Sequence, residues 1–205
     1  MTGARPLRSD AERNRGRLLA AADTVFAERG TDAGVELIAR EAGVGVGTLY
    51  RHFPTKQALI DELVHSLARQ VLACAREALD LPPEEGLDGL LLAVGELQTK
   101  TPDCADQLWR QANIDDTVLP EFRRMVAVLL ERAQEAGRIR KDVAVTDISM
   151  LIWASQEIGR LTREIAPDAW RRHLELVIAG LRPGGDPLRQ TPLTAEQVAV
   201  ITARR

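Results

Sequence analysis

Cysteine is scarce in this sequence, and a long apolar segment is absent. Cys74 and Cys104 are the two cysteines among 205 residues, and their spacing matches neither a zinc motif nor a disulfide framework. The apolar runs at residues 90–94 and 125–130 are far too short to span a bilayer, and residues 1–17 lack the apolar segment of a signal peptide. We therefore expect a cytoplasmic protein, neither secreted nor membrane-embedded, whose thiols are buried and inert rather than a redox switch.

Groups that could carry catalysis or bind a metal are also few. The three histidines, His52, His65 and His173, fall in three different predicted helices, and none is spaced from a cysteine or carboxylate as catalytic or metal clusters require. No convincing strand is predicted, so a glycine-rich phosphate loop after a strand is excluded as well. The sequence therefore predicts no catalytic residue, no metal site and no cofactor, and it argues against an enzyme.

Charge is small overall but unevenly distributed. Residues 1–56 contain nine basic and seven acidic side chains, a net charge of +2, while the remainder contains 18 and 23, a net charge of −5. A basic amino-terminal part attracts phosphate, whereas an acidic body discourages nonspecific wrapping of nucleic acid. A phosphate-binding surface is therefore expected in the first quarter of the chain.

Apolar residues recur at three- and four-residue spacing along most of the chain, which predicts an all-α fold. Local signals predict the helix ends. Residues 9–12 form a capping-box pattern, Thr55 and Thr146 are candidate N-caps, Gly137 is a stop signal, and residues 82–83, both proline, break the periodicity. The predicted helices cover about residues 10–29, 35–42, 46–53, 55–79, 87–99, 103–114, 119–136, 147–165 and 168–181.

The helices group into two predicted domains followed by a tail. Their limits are residues 1–54, residues 55–182, and residues 183–205 for the linker and carboxy-terminal tail. In the tail, Thr194 and Gln197 form a second capping-box pattern, which predicts a short helix with Val198 and Ile201 on its apolar side. Whether this tail docks on the body or stays disordered is left open by the sequence.

Residues 38–56 predict two short helices joined by a tight turn. Gly43 and Gly45 allow the backbone conformations that a sharp helix-to-helix turn needs. Leu49 and Phe53 lie four residues apart and bury on one face of the second helix, which leaves Thr, Tyr, Arg and His side chains on its other faces. An ordinary helical hairpin in a core is the competing interpretation, but it does not explain this crowding of polar and basic groups. The pattern is typical of a DNA-reading helix-turn-helix.

The same residues resemble the signature of the TetR family of bacterial transcriptional regulators. The resemblance rests on Gly43-Val44, on Gly47-Thr48-Leu49-Tyr50-Arg51-His52-Phe53, and on Lys56 and Leu59. It covers about a quarter of the chain. It implies an all-helical homodimer with an amino-terminal three-helix DNA-binding domain and a carboxy-terminal domain that binds an effector and dimerises.

Roles in DNA binding follow from the resemblance, position by position. It implies phosphate contacts from Tyr50, His52, Lys56 and the helix start near Gly47 and Thr48, and base-edge contacts from Val46, Gly47, Tyr50 and Arg51. Val46 and Gly47 offer no hydrogen bond beyond the backbone. Specificity would therefore come from thymine methyl contacts and from Arg51 reading a guanine.

The chain departs from the family pattern before the turn. The family commonly has a Thr or Ser pair that contacts a phosphate where this chain has Ala33 and Gly34, and Gly45 replaces a frequent Ser. One phosphate contact is therefore in doubt. Asp32 or Gly34 would cap the helix instead, and Asp32 would repel DNA.

Aromatic and Met side chains in the second domain are candidates for an effector pocket. The predicted ligand contacts are Trp109, Phe122, Met125, Met150, Trp153 and Gln156, with Gln107, Gln111, Asn113 and Glu157 as neighbouring polar groups. The resemblance places their helices around a cavity, and aromatic and Met side chains form adaptable apolar walls. The alternative is that they only fill the core.

Helices 147–165 and 168–181 carry apolar and small residues that suit a four-helix bundle with a second copy of the chain. Burial within one chain is the alternative.

The predicted function is a ligand-responsive regulator, most simply a repressor, that binds a palindromic operator as a homodimer and is released by a small molecule. The rivals are a helical ligand-binding protein that has lost DNA binding and an enzyme on the same fold. The effector, the operator and the regulated genes are not encoded in the pattern.

Overall fold

The fold is all-α, as predicted, in a computed structural model that describes residues 5–110 and 118–204. Within these ranges the chain contains helices and loops and no strand. The helices are α1 (Arg5–Arg29), α2 (Val35–Glu41), α3 (Val46–His52), α4 (Lys56–Asp80), α5 (Pro83–Lys100), α6 (Pro102–Arg110), α7 (Val118–Glu135), α8 (Val145–Thr162), α9 (Ala169–Gly180) and α10 (Ala195–Arg204). The predicted end of the α6 segment, residues 111–114, lies outside the described residues. No described helix is both long and apolar enough to cross a bilayer.

Most helix ends have the chemistry that the sequence predicts. Thr55 caps α4, since its Oγ1 accepts a hydrogen bond from the Ala58 N–H at 3.0 Å. Gly137 follows α7 with a φ of 67°, a left-handed conformation that favours glycine. In the tail, the Thr194 N–H donates to Gln197 Oε1 at 2.8 Å and the Gln197 N–H donates to Thr194 Oγ1 at 3.1 Å. The predicted capping box at the start of α10 is therefore confirmed.

Three predicted helix starts are wrong. α1 begins at Arg5, so residue 9 lies inside the helix rather than at its start; the apolar periodicity used to place the start begins only further along. α5 begins at Pro83 rather than at Leu87, because a proline at the first helical position lacks only an N–H that would be unpaired there. At α8 the cap is not Thr146, since the Ala144 N–H donates to the Asp147 carboxylate at 2.8 Å.

The chain separates into two compact units, 1–66 and 67–205. α4 contains this division, and its start at Lys56 adjoins the predicted domain limit after residue 54. The first unit has its own core of α1, α2, α3 and the beginning of α4. Its fully or almost fully buried side chains include Leu18, Ala22, Phe26, Ile38, Leu49, Phe53, Leu59 and Val64. This core fixes α3, which with seven residues has little stability of its own.

In the second unit, α5, α8 and α9 pack closely around one indole. Trp170 is 2% exposed, and a Cβ added to Gly95 would overlap its ring. A Cβ added to Gly159 would lie 2.6 Å from Thr99 Cγ2. Trp170 is therefore a packing residue, and Gly159 serves the approach of helices within one chain.

The tail forms α10, which packs against α6. Val198 is 2% exposed, as expected for the apolar side of this helix, but Ile201 is 38% exposed and Thr202 is 8% exposed. Ile201 was therefore wrongly placed on the buried side. Thr202 takes that position because its Oγ1 donates to the Val198 carbonyl oxygen at 2.8 Å, which satisfies the hydroxyl within the helix.

Candidate nucleic-acid interface and internal pocket

The turn between α2 and α3 is built around one glycine. Gly43 has a φ of 65°, and the Val44 N–H donates to the Ala39 carbonyl oxygen at 2.9 Å. The Thr48 N–H and the Leu49 N–H then donate to the Gly45 carbonyl oxygen at 2.8 and 3.2 Å, which starts α3. The predicted helix-turn-helix is therefore present.

Two apolar anchors hold α3 on the core of the first unit. Leu49 is 0% exposed and Phe53 is 3% exposed. The C-cap at Phe53 leaves helical geometry, with φ −131° and ψ 97°, as expected before Pro54. Because these anchors lie on one face, the remaining side chains of α3 point away from the core.

The side chains predicted to contact DNA lie on this outer part of the first unit. Among them, Gly47, Tyr50 and Arg51 are exposed, while Val46, Thr48, His52 and Lys56 are partly exposed. Tyr50, the chain's only tyrosine, is 45% exposed. Arg51 folds back on its own helix, since its Nε donates to the Gly47 carbonyl oxygen at 3.2 Å.

No contact and no backbone angle in the described part of the chain requires glycine at position 47. A Cβ added there would meet no atom within 4 Å, and its φ is not in the left-handed region. A glycine in open space on an exposed helix permits close approach of another molecule. This fits its predicted place at the protein–DNA contact.

Sequence reasoning missed the arginines of α1 that surround this motif. The Arg15 guanidinium lies over the Phe53 ring, with Cζ 5.4 Å from the centroid, and also pairs with Glu62 at 2.9 Å. Arg17 lies beside the turn, since its Nη2 is 2.8 Å from where a Cβ on Gly43 would be. The sequence signal is weak, because both residues lie in a run of polar and basic side chains.

The departure from the family pattern at the start of α2 has a structural consequence. Gly34 is the N-cap, and no side chain caps the helix, so Asp32 does not have the capping role considered above. The Glu36 carboxylate turns toward this end, with Oε2 2.7 Å from where a Cβ on Gly34 would be. The negative charge of Glu36 therefore lies at the position where the family commonly has a pair of hydroxyl groups that contact a phosphate.

A small pocket lies in the second unit between α6, α7, α8 and α10. Its lining residues are Trp109, Leu119, Phe122, Arg123, Ser149, Ile152, Trp153, Val198 and Thr202, and its volume is about 20 Å³. The Trp109 and Phe122 rings are tilted by 52° with centroids 5.6 Å apart. The Trp109 Nε1 is buried and has no hydrogen-bond acceptor in the described part of the chain. The pocket is thus an aromatic wall with one unused donor.

Three of the six predicted ligand contacts, Trp109, Phe122 and Trp153, line this pocket. Met125 and Gln156 are buried and Met150 is partly exposed, and none of the three is among the pocket's lining residues. Their role in ligand binding stays a prediction. Of the neighbouring polar groups, Gln111 and Asn113 lie outside the described residues.

Sequence reasoning missed the walls that α10 and the start of α7 contribute. Val198 and Thr202 lie about 90 residues beyond Trp109 in the chain, and only the docking of α10 brings them together. Arg123 is exposed and lines the pocket beside Phe122. No local pattern marks these residues as pocket residues.

The described ranges show neither a candidate metal site nor a thiol that is activated for reaction. No group of three or more His, Cys, Asp or Glu side chains there is placed to hold a metal ion. Cys104 is buried and Cys74 is half-buried. Burial, followed by the charge of Glu77, raises the pKa of the Cys74 thiol above its ordinary value, which disfavours the reactive thiolate.

Comparisons with known proteins cover both units. Residues 18–63 match the family model for bacterial regulatory proteins of the tetR family, and residues 90–183 match the carboxy-terminal domain of SbtR-like transcriptional regulators. The HTH-type transcriptional repressor KstR2 of Mycobacterium tuberculosis is 30% identical over 197 residues, which cover 90% of this chain and 86% of that protein. AcnR of Corynebacterium jeikeium, also an HTH-type transcriptional repressor, is 26% identical and covers 82% of this chain and 92% of its own length.

Solved structures give the same result for the fold. A TetR transcription regulatory protein from Mycobacterium vanbaalenii is 31% identical with a TM-score of 0.60, over 86% of this chain and 99% of that one. The regulator SCO0520 of Streptomyces coelicolor is 32% identical with a TM-score of 0.63, over 83% and 99%. These relatives are regulators of transcription, in agreement with the prediction that the chain is not an enzyme.

Proposed function

The chain belongs to the TetR family of bacterial transcriptional regulators, and we propose that it is a repressor that binds a palindromic operator as a homodimer and is released by a small molecule. The observation that carries the proposal is the outer face of α3. Leu49 and Phe53 hold this helix on a core, while Tyr50 and Arg51 are exposed beside a glycine that faces open space. Such a face has the size and chemistry to enter a major groove.

Each side chain of this face has a proposed role at the operator. Phosphate contacts from Tyr50, His52 and Lys56, with the start of α3 at Gly47 and Thr48, set the register of the protein on the duplex. Arg51 exchanges its hydrogen bond to the Gly47 carbonyl oxygen for a guanine, and Val46 contacts a thymine methyl. Because Gly47 has no side chain, the backbone of α3 can lie close to the base edges.

A stripe on α8 and just beyond it supports the homodimer. Leu151, Ala154, Ile158, Leu161 and Ile165 recur at three- and four-residue spacing, and all are partly or fully exposed in the single chain. Leu161 is 65% exposed and Ile165 91% exposed, and on α9 Leu176 is 60% exposed. Burial of this apolar stripe against its copy would form the proposed four-helix interface.

The pocket supports a particular kind of effector. Its walls are mainly aromatic and aliphatic, and two of its lining residues carry hydrogen-bond donors, namely Trp109, whose buried N–H has no acceptor among the described residues, and the exposed Arg123. We infer an apolar small molecule with an acceptor or acidic oxygen. The present volume of about 20 Å³ is far below the ~300–1,000 Å³ of small-molecule sites, so binding requires the pocket to expand.

Release follows from a change in the spacing of two recognition helices. α4 begins at Lys56, a proposed phosphate contact, and continues to Asp80 in the second unit, where the pocket lies. We propose that effector binding displaces α4 in each protomer. Because both half-sites must be matched at once, a small change in the separation weakens binding of the dimer.

The competing function is a ligand-binding protein that no longer binds DNA, and the Glu36 carboxylate at the start of α2 is the observation in its favour. A salt-dependent gel shift with the DNA upstream of the protein's own coding sequence separates the two. The proposed repressor gives a retarded complex, and the logarithm of its binding constant falls linearly with the logarithm of the salt concentration. Retention of ligand binding without any retarded complex at low salt would favour the rival.

A further inference from the structure

The carboxy-terminal helix α10 is an unusual wall for the pocket. It follows the residues matched by the carboxy-terminal family model, which end at 183. Within it, Val198 and Thr202 are the buried side chains of the described residues, and both line the pocket opposite Trp109. Two residues of a terminal helix therefore occupy space directly beside the proposed effector site.

Arg140 and Asp142 hold the linker before α10 on the second unit. The Asp142 carboxylate accepts hydrogen bonds from Arg140 Nε at 2.6 Å, from Arg140 Nη2 at 2.8 Å and from the Leu188 N–H at 2.9 Å. Arg140 also donates to the Asp186 carbonyl oxygen. Residues 189–192, by contrast, are exposed and have no regular secondary structure. The chain is thus held at Leu188, and an exposed segment without regular structure separates this contact from α10.

The pocket is too small for an effector while the α10 side chains line it. A volume of about 20 Å³ accommodates roughly one water molecule, for which ~10–15 Å³ suffices. Removal of the Val198 and Thr202 side chains would open the pocket on the side of α10. Because Val198 and Thr202 are the buried side chains between residues 195 and 202 and the others there are exposed, α10 leaves its site more readily than a core helix.

We propose that α10 is a displaceable plug of the effector pocket. The effector enters by displacing α10, and Val198 and Thr202 compete with it for the space beside Trp109. The tether at Asp142 keeps the displaced helix close, so it returns when the effector leaves. The proposal rests on the proposed function for the identity of the pocket as the effector site, and it adds the element that sets how large a molecule is admitted and how tightly it binds.

The test uses the fluorescent probe anilinonaphthalene sulfonate (ANS), an apolar anion, on the full-length chain. Val198→Asp places an unpaired carboxylate in the buried position and should release α10. Val200→Asp places the same charge two residues away, at a position that is 46% exposed, and should not. Thr202→Asp provides a second, independent release of the helix.

We expect Val198→Asp and Thr202→Asp to bind ANS about tenfold more tightly than the unsubstituted chain, since apparent affinity rises with the fraction of open pockets. Val200→Asp should match the unsubstituted chain. Adding Ser149→Phe to the Val198→Asp chain fills the pocket and should abolish the gain, which excludes binding to the face that α10 leaves exposed. Unchanged ANS affinity in both released variants, or a gain that survives Ser149→Phe, would overturn the plug.

Gel shifts on the same proteins keep the two proposals apart. Because α10 belongs to the second unit and Val200 does not line the pocket, Val200→Asp should bind upstream DNA as the unsubstituted chain does in the absence of a ligand. Absence of DNA binding by the unsubstituted chain would contradict the proposed function, whatever the ANS ratio. The ratio of the ANS affinities of Val198→Asp and Val200→Asp tests the proposal that α10 is a plug, independently of DNA binding.

Discussion

The Arg15 guanidinium lies over the ring of Phe53, the residue that ends α3. Arg15 belongs to α1 and also pairs with Glu62 of α4, so it connects three helices of the first unit. Its side chain is 43% exposed, which limits the ion pair to ~0–1 kcal/mol. The buried Phe53 ring therefore contributes most of the stability at this contact.

Substitutions at the two residues should have different effects. We expect Phe53→Ala to lower the free energy of unfolding by ~3–5 kcal/mol, because it leaves a cavity under α3. Arg15→Ala should lower it by about 1 kcal/mol or less, since a surface ion pair and an exposed cation–π contact are lost. Urea unfolding followed by circular dichroism measures both. Arg29→Ala, at an exposed arginine of the same helix, is the control. Equal losses of the free energy of unfolding for Arg15→Ala and Phe53→Ala would contradict the conclusion that the Phe53 ring contributes most of the stability.

Glu36 should weaken DNA binding in the present chain. Its carboxylate stands at the start of α2, where the family commonly has hydroxyl groups. We expect Glu36→Gln to tighten binding to all DNA sequences severalfold at low salt, with the gain disappearing as salt screens the charge. Glu41→Gln removes the same charge from the exposed other end of α2 and is the matched control. An equal gain from both substitutions in gel shifts would show a general charge effect and would remove the special role of Glu36.

The exposed stripe on α8 should hold the dimer together. Leu161→Arg adds a charge at a position that is 65% exposed in one chain, so the protomer should still fold. In a dimer the same charge would be buried without a partner, which is very costly. We expect sedimentation to give folded monomers for Leu161→Arg and for Leu151→Arg. Leu188→Arg, at an exposed position in the tail linker, should stay dimeric. Unchanged soluble dimers for both α8 variants would place the interface elsewhere.

The two indoles of the pocket should control the response to effector. Trp109→Leu or Trp153→Leu should change ligand-dependent release while leaving DNA binding without ligand nearly intact, because neither residue belongs to the first unit. A twenty-fold effect of ligand on affinity corresponds to about 1.8 kcal/mol, within the usual range of allosteric coupling. Trp170→Leu, in an indole that packs on Gly95 away from the pocket, is the control for loss of a buried ring. Unchanged release in both pocket variants would require another site.

The sequence predicts those parts of this structure that depend on local chemistry. Thr55, Gly137 and the Thr194–Gln197 pair end or begin helices where expected, because a cap or a left-handed glycine acts on its own turn. The start of α5 was missed at Pro83, since a proline can either break a helix or open one. The neighbouring residues alone do not decide between the two.

The candidate site was predictable to the extent that it lies in one continuous motif. Seven residues between 46 and 56 were assigned to DNA contact from their place in the motif, namely Val46, Gly47, Thr48, Tyr50, Arg51, His52 and Lys56. The structure has Gly47, Tyr50 and Arg51 exposed and the other four partly exposed. The pocket was only partly predicted, since Val198 and Thr202 join Trp109 through the packing of distant segments. At α10, the apolar periodicity predicted Ile201 rather than Thr202 on the buried side. Periodicity counts Thr as polar, although the Thr202 hydroxyl donates a hydrogen bond to a carbonyl oxygen of its own helix and can therefore be buried.

The central claim is that α3 reads DNA, and Arg51 and Lys56 separate the two kinds of contact. Arg51→Ala should lose ~1–3 kcal/mol of discrimination at one base pair in each half-site, because a guanine contact is removed. Lys56→Ala should weaken binding to all sequences similarly and reduce the salt slope by about one, because a phosphate contact is removed. Tyr50→Phe should resemble Lys56→Ala in its indifference to sequence.

The most direct measurement is a quantitative gel shift of the unsubstituted chain, Arg51→Ala and Lys56→Ala on the protein's upstream DNA and on single-base-pair variants of the bound site. We expect a salt-dependent complex with the unsubstituted chain, a flattened preference at one symmetric pair of positions for Arg51→Ala, and a uniform loss of affinity for Lys56→Ala. A complex that forms equally with all three proteins, or no complex at any salt concentration, would contradict it.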